Sequence, residues 1–229
     1  MIPYYADDRV TLYHGDCREV TEWLAADVLV TDPPYGIGWD QPAYLMRGRH
    51  PSTRTKRHDG IANDSDTQAR DHVLALASHL PALVFGSLYA PPPADVRIVL
   101  AYQKPADAGL FGGRAGWRRD WELVFVVGPW PDAPATRSAV IRTLAGTHRR
   151  YAQGIHPHAK PLDVMEQLVD ACPPGVIADP FAGSGSTLIA ARNLGHCAIG
   201  VEIDERYCEV AARRLSQGVL MPENLEQFP

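Results

Sequence analysis

Short, continuous apolar runs alternate with segments of helical period along this chain. Val10-Thr11-Leu12-Tyr13-His14, Asp27 to Thr31, Ala82 to Phe85, Arg97 to Tyr102, Trp121 to Val127, Val176 to Ala178 and Cys197 to Val201 read as seven strands. Most are apolar at consecutive positions, the pattern of strands buried on both faces. Between them, apolar residues recur at helical spacing over 67–80 (Val73, Leu74, Ala77, Leu80) and over 162–172 (Leu162, Met165, Leu168, Val169). Further helices are expected from Arg18 to Leu24, from Ser186 to a stop at Gly195, and from Glu205 to Leu215. Strands alternating with helices predict an α/β fold, a Rossmann-like and mostly parallel seven-stranded sheet with helices on both faces. Two stretches do not fit the alternation. Residues 36–66 are polar and aperiodic and predict a long functional or mobile loop. Residues 128–157 are Pro-rich and then basic, and most of them are expected outside the sheet.

In such a fold the strand C-termini and the loops after them share one edge, where ligands bind. Two polar segments follow strands directly and should meet there, although almost 150 residues separate them. The first is Asp32-Pro33-Pro34-Tyr35. A carboxylate, two prolines and an aromatic ring make a rigid pocket edge suited to gripping an exocyclic amine on a planar ring; a Pro-rich turn closing a strand is the simpler reading. The second is Asp179-Pro180-Phe181-Ala182-Gly183-Ser184-Gly185-Ser186-Thr187, a Gly-x-Gly turn opening a helix. Leu188 stands where a dinucleotide fingerprint has its third glycine, and no Gly-Lys-Ser or Gly-Lys-Thr marks a phosphate loop. Glu202, at the end of the next strand, is placed to hold the two hydroxyls of a ribose, or else is a helix N-terminal acid ahead of Asp204 and Glu205.

Composition narrows the class. The chain has 229 residues, 45% hydrophobic and 21% charged, enough for one sizeable core. No apolar run approaches membrane-spanning length, and the N-terminus lacks a basic region followed by an apolar stretch. Cys17, Cys172, Cys197 and Cys208 form no Cys-x-x-Cys pair, so neither a zinc site nor a disulfide framework is indicated, and a reducing cytoplasm is expected. His148, His156 and His158 lack a cysteine or acid to complete a metal site. Net charge is −5 but uneven: residues 41–160 hold sixteen Lys and Arg against nine Asp and Glu, and the rest hold six against eighteen. An acidic scaffold with a basic middle is compatible with a polyanion across one face. Within the middle, Arg47, Arg49, Arg54, Lys56 and Arg57 follow the tetrapeptide in a stretch, 41–58, that holds no acid, and Arg142, Arg149 and Arg150 form a second basic patch.

Taken in order, these segments resemble the S-adenosylmethionine-dependent amino-methyltransferases of DNA, which act on N6 of adenine or N4 of cytosine. The tetrapeptide comes first and the cofactor turn last, an order similar to the circularly permuted β group. Leu12-Tyr13-His14-Gly15-Asp16-Cys17, Tyr102-Gln103-Lys104-Pro105, Trp121-Glu122-Leu123, His156-Pro157-His158-Ala159-Lys160-Pro161 and Gly200-Val201-Glu202-Ile203 with Tyr207 and Arg213-Arg214-Leu215 resemble the group's other segments. The resemblance covers most of 9–35, 67–127 and 156–216. It implies a single catalytic domain over 1–229 with a mobile basic loop at about 36–66 and a small target-recognition insertion at about 128–155.

The resemblance also implies roles. Asp32, Pro33, Pro34 and Tyr35 would be catalytic, the Asp32 carboxylate and Pro33 carbonyl accepting the two amine N–H groups while Tyr35 stacks on a flipped base. S-adenosylmethionine would be held by Asp16, Cys17, Asp32, Lys160, Asp179, Phe181, Gly183, Ser184, Gly185, Thr187, Glu202 and Ile203. In that set Ser184 and Thr187 would donate hydroxyls to the cofactor carboxylate, Lys160 would contact the same carboxylate, and Ile203 would cover the adenine. Arg47, Arg49, Arg54, Lys56, Arg57, Arg149 and Arg150 would meet double-stranded DNA. Asp at the first tetrapeptide position favours adenine over cytosine. The short insertions suggest a second subunit, hence a homodimer, and the family suggests a cognate restriction enzyme in a bacterial or phage-infected cell; no metal and no membrane are expected. A catalytically silent DNA- or partner-binding module is the competing class, and a nicotinamide oxidoreductase is disfavoured by the missing third glycine. Trp117, Trp121 and Trp130 read as core or interface anchors.

Overall fold

The computed structural model describes residues 1–38, 62–105, 108, 115–144 and 159–217. Among the described residues, nine strands form a single sheet: β1 (Tyr5–Ala6), β2 (Val10–His14), β3 (Val28–Thr31), β4 (Ala82–Gly86), β5 (Val96–Gln103), β6 (Trp121–Val127), β7 (Val140–Arg142), β8 (Ile177–Asp179) and β9 (Ala198–Glu202). Their spatial order is β1-β2-β9-β8-β3-β4-β6-β5-β7. The helices among the described residues are α1 (Gln68–Leu76), α2 (Leu162–Val169), α3 (Ser186–Asn193) and α4 (Glu205–Ser216). All seven expected strands are present, and β1 and β7 extend the two edges. The short β7 lies inside the stretch expected outside the sheet, pairing parallel with Ala101–Gln103 of β5. Only three residues long and flanked by Pro131, Pro134 and Ser138, it is too brief to stand out as a period. Arg18 to Leu24, expected as a helix, is turns followed by a 3-10 turn at Glu22–Ala25. This tighter turn buries Trp23 completely, and its indole N–H donates to the Cys17 carbonyl at 2.9 Å.

Strand sequence explains the layers. β3 and β4 are buried at every position, which requires cover on both sides. Val28, Val30, Leu83 and Phe85 face a core with Val164, Met165 and Leu168 of α2, Leu188 and Ala191 of α3, and Ala211 and Leu215 of α4. Leu29, Ala82, Val84, Phe125 and Val201 face the other way, against Val73 of α1, Ala77 just after it, and Trp23. Three helices thus cover one face; α1 and the 3-10 segment cover the other. Trp130 packs against the first core and donates to the Ala82 carbonyl at 3.3 Å, but Trp117 is 79% exposed and anchors no core.

The topology sets where a ligand can lie. β2, β9, β8, β3 and β4 are mutually parallel, so His14, Glu202, Asp179, Thr31 and Gly86 all end at one edge. From β8 the chain crosses to β9 on one side, and from β3 to β4 on the other. The neighbouring pair β8–β3 is therefore the switch point, where a crevice opens. β6 runs antiparallel to both β4 and β5, which brings its first residues, Trp121 and Glu122, to this same edge beside Lys104 at the end of β5.

Candidate active site

Asp32 follows β3 and Asp179 closes β8, and the two segments meet. Thr31 donates its hydroxyl to Asp179 Oδ1 at 2.7 Å, Thr187 donates to Oδ2 at 2.5 Å, and the Phe181 amide donates to Oδ1 at 3.1 Å. Asp179 is 2% exposed. Burial pushes its carboxyl up to about 6 despite those three donors. Asp179 therefore ties the end of β3 to the glycine turn. Thr187 has one hydroxyl proton, which goes to Asp179 and not toward a cofactor carboxylate as expected above.

The turn itself needs its glycines. Gly183 and Gly185 sit at φ +51° and +80°, in the left-handed region. A Cβ on Gly185 would lie 3.0 Å from Ala211 Cβ of α4, whereas around Gly183 nothing comes closer than the Phe181 carbonyl at 4.0 Å. That open approach is what a ligand against backbone requires. Glu202 grips the turn from β9, accepting from the Gly183 amide on Oε2 and the Asp204 amide on Oε1, both at 2.7 Å. Burial raises its carboxyl; each oxygen keeps a further acceptor direction. Ser184 is buried, and its carbonyl and Oγ accept from Arg214 Nη1 of α4 at 2.5 and 3.1 Å. Arg214 is a tether that sequence reading recorded only as part of a matching segment.

Register carries the rest of the cofactor set to the same place. His14 pairs with Glu202 across β2 and β9, and the Gly15 amide donates to the Glu202 carbonyl. Asp16 and Cys17 thus stand beside Glu202 and Ile203, and Ile203 is 42% exposed. The Asp16 carboxylate is engaged by Arg18, whose hydrogen bonds hold it below the usual carboxylate range. Cys17 is buried, which pushes its thiol up to about 12, and its carbonyl is taken by Trp23. A thiol so held is no nucleophile at neutral pH.

The tetrapeptide is the charged centre. Tyr35 donates to Asp32 Oδ1 at 2.8 Å, and Lys160 Nζ donates to Asp32 Oδ2 at 2.6 Å and to the Tyr35 hydroxyl at 3.2 Å. Pro33 is buried; Pro34 and Tyr35 are half-buried. Burial raises the Asp32 carboxyl, with Lys160 opposing and Glu122 adding to the rise. Burial also raises the Tyr35 phenol well above its ordinary value, so it remains a donor. Lys160, expected at the cofactor carboxylate, belongs to this cluster, with its side chain 11% exposed and its ammonium 4.7 Å from the Phe85 ring centre. It also pairs with Glu122 at 3.3 Å, and Glu122 pairs with Lys104 at 2.6 Å. Sequence reading assigned no role to Glu122 or Lys104. The available signal was a charge inside the apolar strand Trp121 to Val127, which needs a buried counter-charge.

Of the basic residues expected at DNA, Arg47, Arg49, Arg54, Lys56, Arg57, Arg149 and Arg150 lie outside the described residues. Arg142 is described: it sits on β7 and donates to Gln103 Oε1 at 3.0 Å. No group of three or more His, Cys, Asp or Glu among the described residues could hold a metal ion, and no helix among them is long and apolar enough to cross a membrane.

This architecture is the DNA methyltransferase fold. The chain superposes on M1.HpyAVI bound to S-adenosylmethionine with a TM-score of 0.59 at 19% identity, covering 90% of this chain and 98% of that one. On the cytosine-N4-specific PvuII DNA methyltransferase the TM-score is 0.61 at 14% identity, covering 97% and 90%. Residues 128–213 match the DNA methylase family model. Among curated relatives it is 43% identical over 83 residues to the Type II methyltransferase M.ScaI of Streptomyces caespitosus, 35% of this chain and 24% of that protein. It is 37% identical over 67 residues to M2.LlaDCHI of Lactococcus lactis subsp. cremoris, 28% of this chain and 25% of that one. The matched part thus spans about a quarter of the length of these relatives.

Proposed function

We propose that this protein methylates DNA, transferring a methyl group from S-adenosylmethionine to the exocyclic amine of a base turned out of the helix, N6 of adenine. The observation that carries the reading is the Asp32 carboxylate, held by Tyr35 and Lys160 one residue after Thr31, whose hydroxyl donates to Asp179 at the foot of the Gly183–Gly185 turn. Such an amine is a poor nucleophile because its lone pair is delocalised into the ring. Accepting its two N–H groups at Asp32 and at the Pro33 carbonyl localises the lone pair on nitrogen. The prolines keep both acceptors in place at little entropic cost, and the carboxylate stabilises the positive charge that develops on nitrogen. Tyr35 offers a flat face for the base.

The cofactor, when bound, supplies an electrophilic methyl. The residues fit it: Gly183 leaves its backbone open to close approach, Glu202 retains acceptor directions for ribose hydroxyls, and Ile203 presents an exposed apolar side chain beside Asp16 and Cys17. Adenine is favoured over cytosine by the aspartate that opens the tetrapeptide. Double-stranded DNA is the partner, and a homodimer together with a cognate restriction enzyme, in a bacterial or phage-infected cytoplasm, completes the proposed setting.

Sequencing DNA that has passed through a methylation-free host expressing this protein tests the reading, because it reports both base and site. N6-methyladenine at one short sequence is the expected result. N4-methylcytosine would correct the base, and unmodified DNA together with no tritium transfer from labelled cofactor would favour a silent binding module.

A further inference from the structure

Four charged side chains from four parts of the chain form one line at the switch-point edge: Lys104 after β5, Glu122 on β6, Lys160 ahead of α2, and Asp32 after β3. Adjacent members are 2.6, 3.3 and 2.6 Å apart. The side chains of Glu122, Lys160 and Asp32 are 18%, 11% and 24% exposed. Two cations and two anions balance, which such a poorly solvated cluster requires. The amine-activating clamp uses only Asp32, at one end of the line. The interior carboxylate has no assigned part in it.

We propose that Glu122 is a positioning residue for the methyl transfer proposed above: by pairing with Lys160 and Lys104, it holds Lys160 beside Asp32, so that the Asp32 carboxylate stays aimed, and offsets that lysine's positive charge, so that the carboxylate keeps its pull on the reacting nitrogen. Lys160 alone beside Asp32 would aim the carboxylate, but its ammonium would sit uncompensated next to the nitrogen on which positive charge develops. Glu122, one bond further along the line, offsets it.

The geometry sets opposite signs for two substitutions. Glu122→Gln keeps the shape, removes the carboxylate that repels Asp32, and frees both lysines to act on it. Asp32 should then titrate lower. Lys160→Met removes the cation and leaves two carboxylates facing each other, so Asp32 should titrate higher. The other groups facing this centre are Tyr35 on the same turn, Asp179 at the end of β8, and Asp64, which acts on Tyr35; all three are unchanged in both variants. The existing directions agree: burial opposes ionisation of Glu122, yet Lys160 and Lys104 outweigh it and bring it down to about 2, and Lys160 is raised although burial works against its charge.

The test is a carboxyl 13C titration of the aspartates in the cofactor-free protein, with Asp32→Asn to assign the Asp32 resonance, run on wild type, Glu122→Gln and Lys160→Met. Melting curves confirm folding. The Asp32 midpoint is expected to fall by about one pH unit or more in Glu122→Gln and to rise by as much in Lys160→Met, with the acid limb of kcat moving the same way in each. Glu122→Gln is also expected to lower kcat at its optimum about tenfold or more, with KM for cofactor and DNA within about threefold of wild type. A midpoint that is unmoved or raised in Glu122→Gln, or a loss confined to KM, overturns the proposal. Both midpoint shifts without methyl transfer by the wild-type protein would instead overturn the methyltransferase reading and leave the charge pairing standing.

Discussion

At the scale of single residues, two aspartates at the ends of neighbouring strands are placed for different tasks. In the proposed reaction the half-buried Asp32 accepts from the incoming amine. The buried Asp179 accepts from Thr31, Thr187 and the Phe181 amide and organises the turn. Asp32→Asn should therefore cut methyl transfer at least about a hundredfold, the scale of losing one preorganised electrostatic group. Cofactor affinity by calorimetry should stay within a few-fold, and near-normal turnover would remove Asp32 from the chemistry. Asp179 should appear instead in stability. Its folded carboxyl lies at about 6, against roughly 4 in an unfolded chain. Between those values the folded state holds a proton that the unfolded state has released. The contribution is present below about pH 4 and lost as pH rises through 6, a swing of about 3 kcal/mol. Asp179→Asn cannot titrate, so urea unfolding should show the variant gaining on wild type by that order between pH 4.5 and 7. A gap that stays flat would mean that burial does not perturb this carboxyl.

At the scale of elements, the site depends on how two glycines and one helix pack. Gly185 caps α3 at φ +80° with Ala211 of α4 directly behind it. Gly185→Ala should cost about 1–2 kcal/mol from the left-handed backbone alone, more if α4 must shift. It should also weaken cofactor binding, measured by calorimetry, because the Gly183 amide would move off Glu202. Unchanged affinity in a folded variant would separate the turn from the cofactor. The strand pattern made this element legible in the sequence: Val176 to Ala178, then Gly-x-Gly, then a helix, with Glu202 ending the next strand. The tetrapeptide was legible for the same reason. Glu122, Lys104 and Arg214 were not, because each acquires its meaning from a partner 18 to 38 positions away or from the antiparallel β6 in a mostly parallel sheet. Lys160 was noticed, but its pairing with Glu122 was not, since a lysine ahead of a helix gives no sign that β6 will deliver a carboxylate to it. β7 escaped because three residues carry no period.

At the scale of the molecule, charge and topology bear on how DNA would be held. The sheet edge collects the tetrapeptide, the glycine turn and the buried ion line in one place, and the chain's excess of positive charge belongs to residues 41–160, which flank that edge in sequence. The acidic remainder supplies β2, β8, β9, α3 and α4, the scaffold under the cofactor set. In sequence, the positive excess is thus separate from the segments that build the glycine turn and its surroundings. Arg47, Arg54 and Arg57 carry the sharpest form of the expectation, because they follow the tetrapeptide within residues 41–58, which hold no acid. If they neutralise phosphates, binding should fall steeply with salt, and the slope of log K against log salt should become shallower by roughly one for each arginine replaced by alanine. The affinity loss should be nearly the same for cognate and unrelated duplexes, because phosphate contacts position without reading sequence. The measurement is fluorescence anisotropy from 50 to 300 mM salt on both duplexes, for wild type and the triple variant. An unchanged slope would place the electrostatic footprint elsewhere, with Arg142, Arg149 and Arg150 as the next set to replace. A loss restricted to the cognate duplex would make the segment a reader of bases.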